Sequence, residues 1–333
     1  MMLKQSVSPQ IQSFIREPLL CDRAEKLLLL RHDRKNRKDN RFLSLVPGKT
    51  NYTLVFEDDS LPDDHGAHNV IKVNSIEEII LYVGLLGASC EMYLSPEYLS
   101  SPGEWLGKLE NIQSKLAFEA LDGADSETVA TLLRKIPLDI DGLLKSPLAV
   151  RDEDVVPGVV NPDVIHKKNP ANALLSEPYF AGRLVYYNML MHTEELRFDH
   201  ESDHVQGMLL LEAMRQAGIA TTHLSSGLPA TGGMTLMSYC TSFYNYIEHK
   251  APVIIRSYTS YTVPREVGEK DSFAICQVYQ WGKLCAEATL NAVVFMNKER
   301  YTRHRRRTEN LSARNRRLFT SKVQAMSKPV SNE

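Results

Sequence analysis

From Ala173 to Met296 the chain keeps one texture, in which aliphatic and aromatic residues crowd into short segments bounded by turn-forming residues. ALLSEPYF, RLVYYNMLM, MTLMSYCTSFYNYI, PVIIRSYTSYTV, SFAICQVYQWG and KLCAEATLNAVVFM all read as strands. Between the second and third lies MLLLEAMRQAGIATTHL, a helical pattern that is apolar nearly all the way round from Gly207 to Ala220. A helix with no polar half is one that a sheet encloses. The pattern therefore predicts an α+β architecture, an antiparallel sheet wrapped around one long helix.

The first half has a different rhythm. NYTLVF, NVIKV and CEMYL read as strands, Ser75 as the cap of the helix IEEIILYVGLL, and Trp105 to Leu121 and Ser126 to Arg134 as amphipathic helices, the latter opening on Ser126. These make a small α/β domain with no recognisable catalytic constellation. Asp58, Asp59, Asp63, Asp64, His65 and His68 surround Pro62 and Gly66 and read as an acidic surface loop rather than a metal site. SPLAVRDEDVVPGVVNPD, from 146 to 163, reads as a connector. The expected division is 1–155 for the α/β domain, 156–300 for the sheet-and-helix domain and 301–333 for a basic tail.

Composition adds little chemistry but excludes classes. With 43% hydrophobic and 24% charged residues the chain can bury a sizeable core without staples. A net charge of −2 gives no global pull toward nucleic acid or an anionic membrane. Cys21, Cys90, Cys240, Cys276 and Cys285 form no CxxC pair and read as reduced thiols. No apolar run has signal-peptide or membrane-span length, so a soluble cytoplasmic protein is expected.

Candidate chemistry sits on the enclosed helix. Glu212, Arg215 and Gln216 share one face at i, i+3, i+4 spacing. Buried, they are costly unless paired or turned to a cavity. Two readings fit: an internal ion pair that fixes the helix, or a carboxylate on the floor of an acyl pocket, its pKa raised by desolvation into the range of a general base or acid. Directly upstream, FDHESDHVQG places Asp199, His200, Asp203 and His204 before the helix, with Asp203 as the expected cap and Gly207 allowing close approach to free backbone N–H groups.

FDHESDHVQGMLLLEAMRQAG resembles the signature of the A-factor-biosynthesis (AfsA-type) hotdog family: an aspartate-histidine pair (Asp203, His204), a glycine (Gly207), aliphatics (Met208 to Leu211), then Glu212, Arg215 and Gln216. VIHKKNPANALLSEPYFAG is similar to the family's other landmark, with His166, Lys167 and a strand from Ala173 to Leu175 in the corresponding places. The resemblance implies a hotdog fold. It also implies transfer of a β-ketoacyl group from acyl carrier protein, or coenzyme A, to a hydroxyl acceptor such as dihydroxyacetone phosphate, on the way to butyrolactone-type signals.

Family members commonly hold two such units, and residues 1–155 repeat neither motif, so the second unit would come from a homodimer. Related dehydratases carry their catalytic histidine fourteen positions before the glutamate, where this chain has Phe198, leaving His200 or His204 to substitute. In the expected mechanism Gly207 and Met208 N–H groups polarise the thioester. Glu212 or His204 takes the hydroxyl proton, Arg215 and Gln216 orient the reactants, and His166 and Lys167 meet a phosphate. No cofactor or metal is called for. The rivals are a thioesterase or dehydratase and a non-catalytic acyl-binding protein. For the basic tail RHRRRTENLSARNRRLF a disordered solubilising extension is the plain expectation, ahead of carrier docking and, last, RNA binding, for which aromatic residues are sparse.

Overall fold

The computed structural model describes residues 42–44, 52–62, 69–87, 90–100, 112, 114–138, 148–198, 202–260 and 269–327. His200, the histidines at 65 and 68, Cys21 and the stretch from 101 to 111 fall outside them.

The first unit is a four-stranded sheet in the order β1-β4-β2-β3, made of β1 (Phe42–Ser44), β2 (Tyr52–Phe56), β3 (Val70–Val73) and β4 (Cys90–Tyr93). β2 runs parallel to both β3 and β4, and β1 runs antiparallel to β4. The crossover from β3 to β4 is helix α1 (Ile76–Leu86), capped by Ser75, whose Oγ accepts from Glu78 N at 3.2 Å. Then follow α2 (Pro96–Ser100), α3 (Ser114–Gly123) and α4 (Ser126–Lys135). The α4 cap is Asp125 rather than the expected Ser126: the Asp125 carboxylate accepts from Thr128 N at 2.8 Å, which a charged acceptor does well at the positive end of a helix.

The second unit is an antiparallel six-stranded sheet, order β5-β6-β8-β9-β10-β7, wrapped around α5 (Gly207–Ser226). Its strands are β5 (Tyr179–Ala181), β6 (Leu184–Asn188), β7 (Gly233–Phe243), β8 (Ile254–Thr259), β9 (Glu269–Gln280) and β10 (Lys283–Phe295). The predicted strand at Ala173 to Leu175 is not continuous. A 3-10 turn at Pro170–Asn172 precedes it, Leu174 N donates to the Gln216 side chain, and only isolated bridges, Leu175 to Met189 and Ser176 to Val159, remain.

Near-continuous apolar runs in β6, β8 and β9 follow from a sheet covered on both faces. Alternate residues divide between the covers. Val185, Tyr187, Ile255, Cys276 and Val278 meet Leu210, Ala213, Met214 and Ala217 of α5. Leu184, Tyr186, Ile254, Tyr258, Ile275 and Tyr279 point the other way and join one apolar core with Leu54, Ile79, Leu121, Val129 and Leu133 of the first unit. The two units thus share a core.

Two polar devices set that contact. The β5–β6 hairpin turns at Gly182, φ +60°, where an added Cβ would lie 2.4 Å from Leu85 O, and Arg183 N donates to that same oxygen at 2.9 Å. Arg256, fully buried in the middle of β8, donates to Leu133 O at 2.6 Å and Ile136 O at 2.9 Å, capping the C-terminal carbonyls of α4, and to Gln277 Oε1 at 2.7 Å. Its guanidinium also lies over the Tyr279 ring, 4.8 Å from the centroid.

The basic tail is not disordered. Asn297 caps α6 (Lys298–Met326), accepting from Arg300 N at 2.9 Å, and Tyr301 packs flat on Gly233, where any Cβ would come within 2.7 Å of its ring. A firm cap, a packed root and a run of good helix formers carry the helix 29 residues onward. No described helix is long and apolar enough to cross a membrane.

Candidate functional site

Two polar clusters flank α5. The first is built by a strap, residues 160–176, laid along the helix. Asn161 and Asn169 cap two 3-10 turns, each with proline in its first turn, at Pro162–Ile165 and Pro170–Asn172. Buried Ile165 pins the strap. His166 follows it in a left-handed conformation, φ +56°, uncommon for a residue with a Cβ.

Through the strap Lys167 reaches Glu212 Oε1 at 2.8 Å and also pairs with Glu195. Arg215 grips the same carboxylate with two bonds, Nε to Oε2 at 2.7 Å and Nη2 to Oε1 at 2.8 Å. Gln216 Nε2 donates to Glu212 Oε1 at 3.0 Å and to Asn172 O at 2.9 Å, while its own oxygen accepts from Leu174 N at 2.8 Å. Glu212 is therefore saturated. Of the two readings of this face the ion pair is the one present, and the expectation of a raised pKa is reversed: burial pushes it up, but hydrogen bonds from Arg215, Lys167 and Gln216 outweigh burial and hold it at about 2.

Farther along the same helix face stands His223, which sequence inspection missed. Its spacing of seven from Gln216 was a legible signal, but the apolar pattern draws the eye only as far as Ala220. His223 Nδ1 lies 3.2 Å from Leu228 O, and its Nε2 is 2.9 Å from Nε2 of His166. That chain requires His223 to carry its proton on Nδ1 and His166 to donate from Nε2. His166 keeps an exposed outer edge, yet its inner end is enclosed. Burial first, then the fields of His223 and Arg215, push its pKa down to about 4.

The second cluster lies before the start of α5. Residues 202–205 pair with 246–248: His204 bridges Glu248, and Val205 N donates to Ile247 O at 2.8 Å. That pairing carries Asp203 away from the helix end, so the cap is Gln206, with no side-chain bond, and not Asp203 as expected. Asp203 Oδ1 instead sits 2.7 Å from His204 Nδ1, with Ser202 Oγ at 3.3 Å, and the His204 ring meets the Tyr246 ring edge-on, 5.1 Å between centroids.

A groove of about 930 Å3 opens here, lined among others by Met191, Leu196, Phe198, His204, Gln206, Leu209 and His249, with Arg197 and Lys250 bringing positive charge. Gly207 and Met208 follow Gln206 as the first helical residues, whose N–H groups have no partner within a helix. Met208 is exposed. Glu212, Arg215, Gln216, His166 and Lys167 are not among the residues lining this groove. The structure thus unites Glu212, Arg215, Gln216 and Lys167, places His166 beside them, and sets Asp203 with His204 in a separate cluster.

The enclosed helix and its antiparallel wrap are the hotdog arrangement. Residues 148–296 match the A-factor biosynthesis hotdog domain. No curated protein matches the chain in sequence. Similar solved structures include a thioesterase from Haemophilus influenzae, 11% identical, covering 45% of this chain and 96% of that one, TM-score 0.32. A candidate thioesterase from Shewanella oneidensis is 13% identical, covering 35% and 81%, TM-score 0.28. A conserved protein from Pseudomonas aeruginosa is 14% identical, covering 36% and 87%, TM-score 0.27.

Proposed function

We propose that the hotdog domain transfers an acyl group from a thioester to a hydroxyl acceptor, with His204 as the base. The observation that carries this reading is the Asp203–His204 contact of 2.7 Å at the edge of the groove. An aspartate on Nδ1 fixes the tautomer that leaves Nε2 free to take a proton. Glu212, held at about 2 by two cations and an amide, is a weak competitor for that role.

In the proposed step the acceptor hydroxyl loses its proton to His204 Nε2 as its oxygen attacks the thioester carbonyl. The developing oxyanion is met by the N–H groups of Gly207 and Met208 at the positive end of α5. The C–S bond then breaks, and the thiol leaves with the proton that His204 had taken. The apolar part of the lining, Met191, Leu196, Phe198 and Leu209, suits an acyl chain. Lys250 and Arg197 suit the phosphate of a dihydroxyacetone-phosphate-like acceptor. Lys167, already shared by two carboxylates, acts with Arg215 and Gln216 to hold the strap. Acyl carrier protein or coenzyme A would bring the acyl group.

We infer also that the working unit is a homodimer formed along β7. That strand is a free edge 11 residues long and exposes Leu236, Met237 and Phe243. A long apolar edge needs a partner strand.

The test is turnover of an acyl thioester with and without a phosphorylated triol or ketone acceptor. Acyl ester should form only with acceptor, and His204→Gln should slow it by about 10²- to 10⁴-fold. Free acid without acceptor would make the domain a hydrolase. An intact bound thioester after hours would make it a binding protein, and full activity in His204→Gln would remove the base.

A further inference from the structure

α6 carries ten lysines and arginines against two glutamates, while the whole chain carries a net charge of −2. The rest of the molecule is therefore acidic on balance, against a strong net positive charge on this one exposed helix. From Arg305 onward every described residue of this helix is exposed. At 1.5 Å per residue that free part is roughly 33 Å long.

The arginines repeat. Arg303, Arg305 and Arg306 recur as Arg314, Arg316 and Arg317, each eleven positions on. Eleven residues make three turns with a drift of roughly 20°, so each arginine stands almost directly above its counterpart, roughly 16 Å along the axis. At about 100° per residue, the Arg305–Arg316 row and the Arg303–Arg314 row lie on nearly opposite flanks, and the Arg306–Arg317 row lies between them; Arg305 also pairs with Glu309 on its own flank, Nε to Oε1 2.9 Å, and Arg307 and Lys322 fall toward the remaining side. Leu311, Leu318, Phe319 and Met326, all exposed, occupy the side turned away from that middle row.

Positive charge on two opposite flanks and the face between them fits a concave, doubly walled anionic partner. An acidic protein surface or a lipid bilayer meets one side of a rod, and a bilayer would need the apolar side inward, leaving Arg306 and Arg317 farthest from the lipid. A second copy of so basic a helix repels the first. B-form DNA offers a major groove wide enough for an α-helix with a phosphate wall on each side, whereas the A-form groove of duplex RNA is too narrow. We propose that α6 is a DNA-binding element that lies in the major groove of double-stranded DNA, with its two outer arginine rows on the phosphate walls. Tyr301, seated on Gly233 and against Phe295, fixes the root of the helix so that it approaches the duplex as a preformed element.

This inference is independent of the acyl chemistry. It is tested with the full chain by fluorescence anisotropy on labelled mixed-sequence duplex DNA, beside duplex RNA of the same sequence and vesicles containing phosphatidylglycerol. Duplex DNA should bind tightest, with affinity falling about 10³-fold between about 50 and 200 mM salt, as for about six neutralised phosphates. Replacing Arg303, Arg305, Arg306, Arg314, Arg316 and Arg317 together by glutamine should abolish binding without altering the helical circular dichroism, and Leu318→Ser with Phe319→Ser should leave it intact. Stronger binding to vesicles or RNA, no loss in the glutamine variant, or loss in the serine variant would each overturn the proposal.

Discussion

Glu212 shows how a residue can carry a family signature and still be bound to its neighbours on every side. Its carboxylate lies between Arg215, Lys167 and Gln216, so removing its charge leaves Arg215 without its paired anion and Lys167 with Glu195 alone. Glu212→Gln should therefore destabilise the fold by roughly 2 kcal/mol while reducing turnover much less than His204→Gln does. The pH dependence has a definite sign. A carboxylate lowered from 4.5 to about 2 contributes stability that is complete above 4.5 and is lost as pH falls through 2. His166, lowered from 6.5 to about 4, also favours the fold at higher pH, and that contribution is lost as pH falls from 6.5 to 4. Urea midpoints measured from pH 7 to 3 should fall in two stages, the lower one absent in Glu212→Gln; a lower stage that persists in the variant would contradict the reading.

Among the elements, β7 has the plainest consequence. Met237 is exposed at the centre of this edge strand, so Met237→Glu should leave the melting temperature nearly unchanged while splitting the proposed dimer, as light scattering after size exclusion would report. A dimer that survives the charge would place the interface elsewhere. The strands and α5 were legible because sheet and helix periods differ and because the enclosed helix lacks a polar half. Ala173 to Leu175 misled because its apolar residues are buried for another reason: Leu174 N serves Gln216, a partner 42 positions away. Asp203 misled in the same way, since a strand-like contact with 246–248 decides its place and no local rule contains that contact. The tail hid its helix because the packing of Tyr301 on Gly233, which holds its root, joins residues 68 positions apart. The arginine repeat acquires a direction only once the helix exists.

At the scale of the molecule, the sequence boundary near residue 155 does not separate two cores. Tyr186, Tyr258, Ile275 and Tyr279 are covered by the first unit, and Arg256 draws two of its acceptors from the end of α4. A fragment of residues 156–333 should therefore expose an apolar face with a buried-type guanidinium in its centre, and should aggregate or bind hydrophobic dyes; a soluble, cooperatively folding fragment would show that the first unit is dispensable. The length of β7 has one more consequence. If the strand pairs with itself about a two-fold axis, Gly233 of one chain lies beside Phe243 of the other, and the roots of the two α6 helices stand a strand's length apart, roughly 33 Å. Dimeric readers of DNA place their two helices about 34–36 Å apart, one turn of the duplex. The edge strand would then act as a ruler, and the protein's preferred target would be a palindrome with half-sites one turn apart.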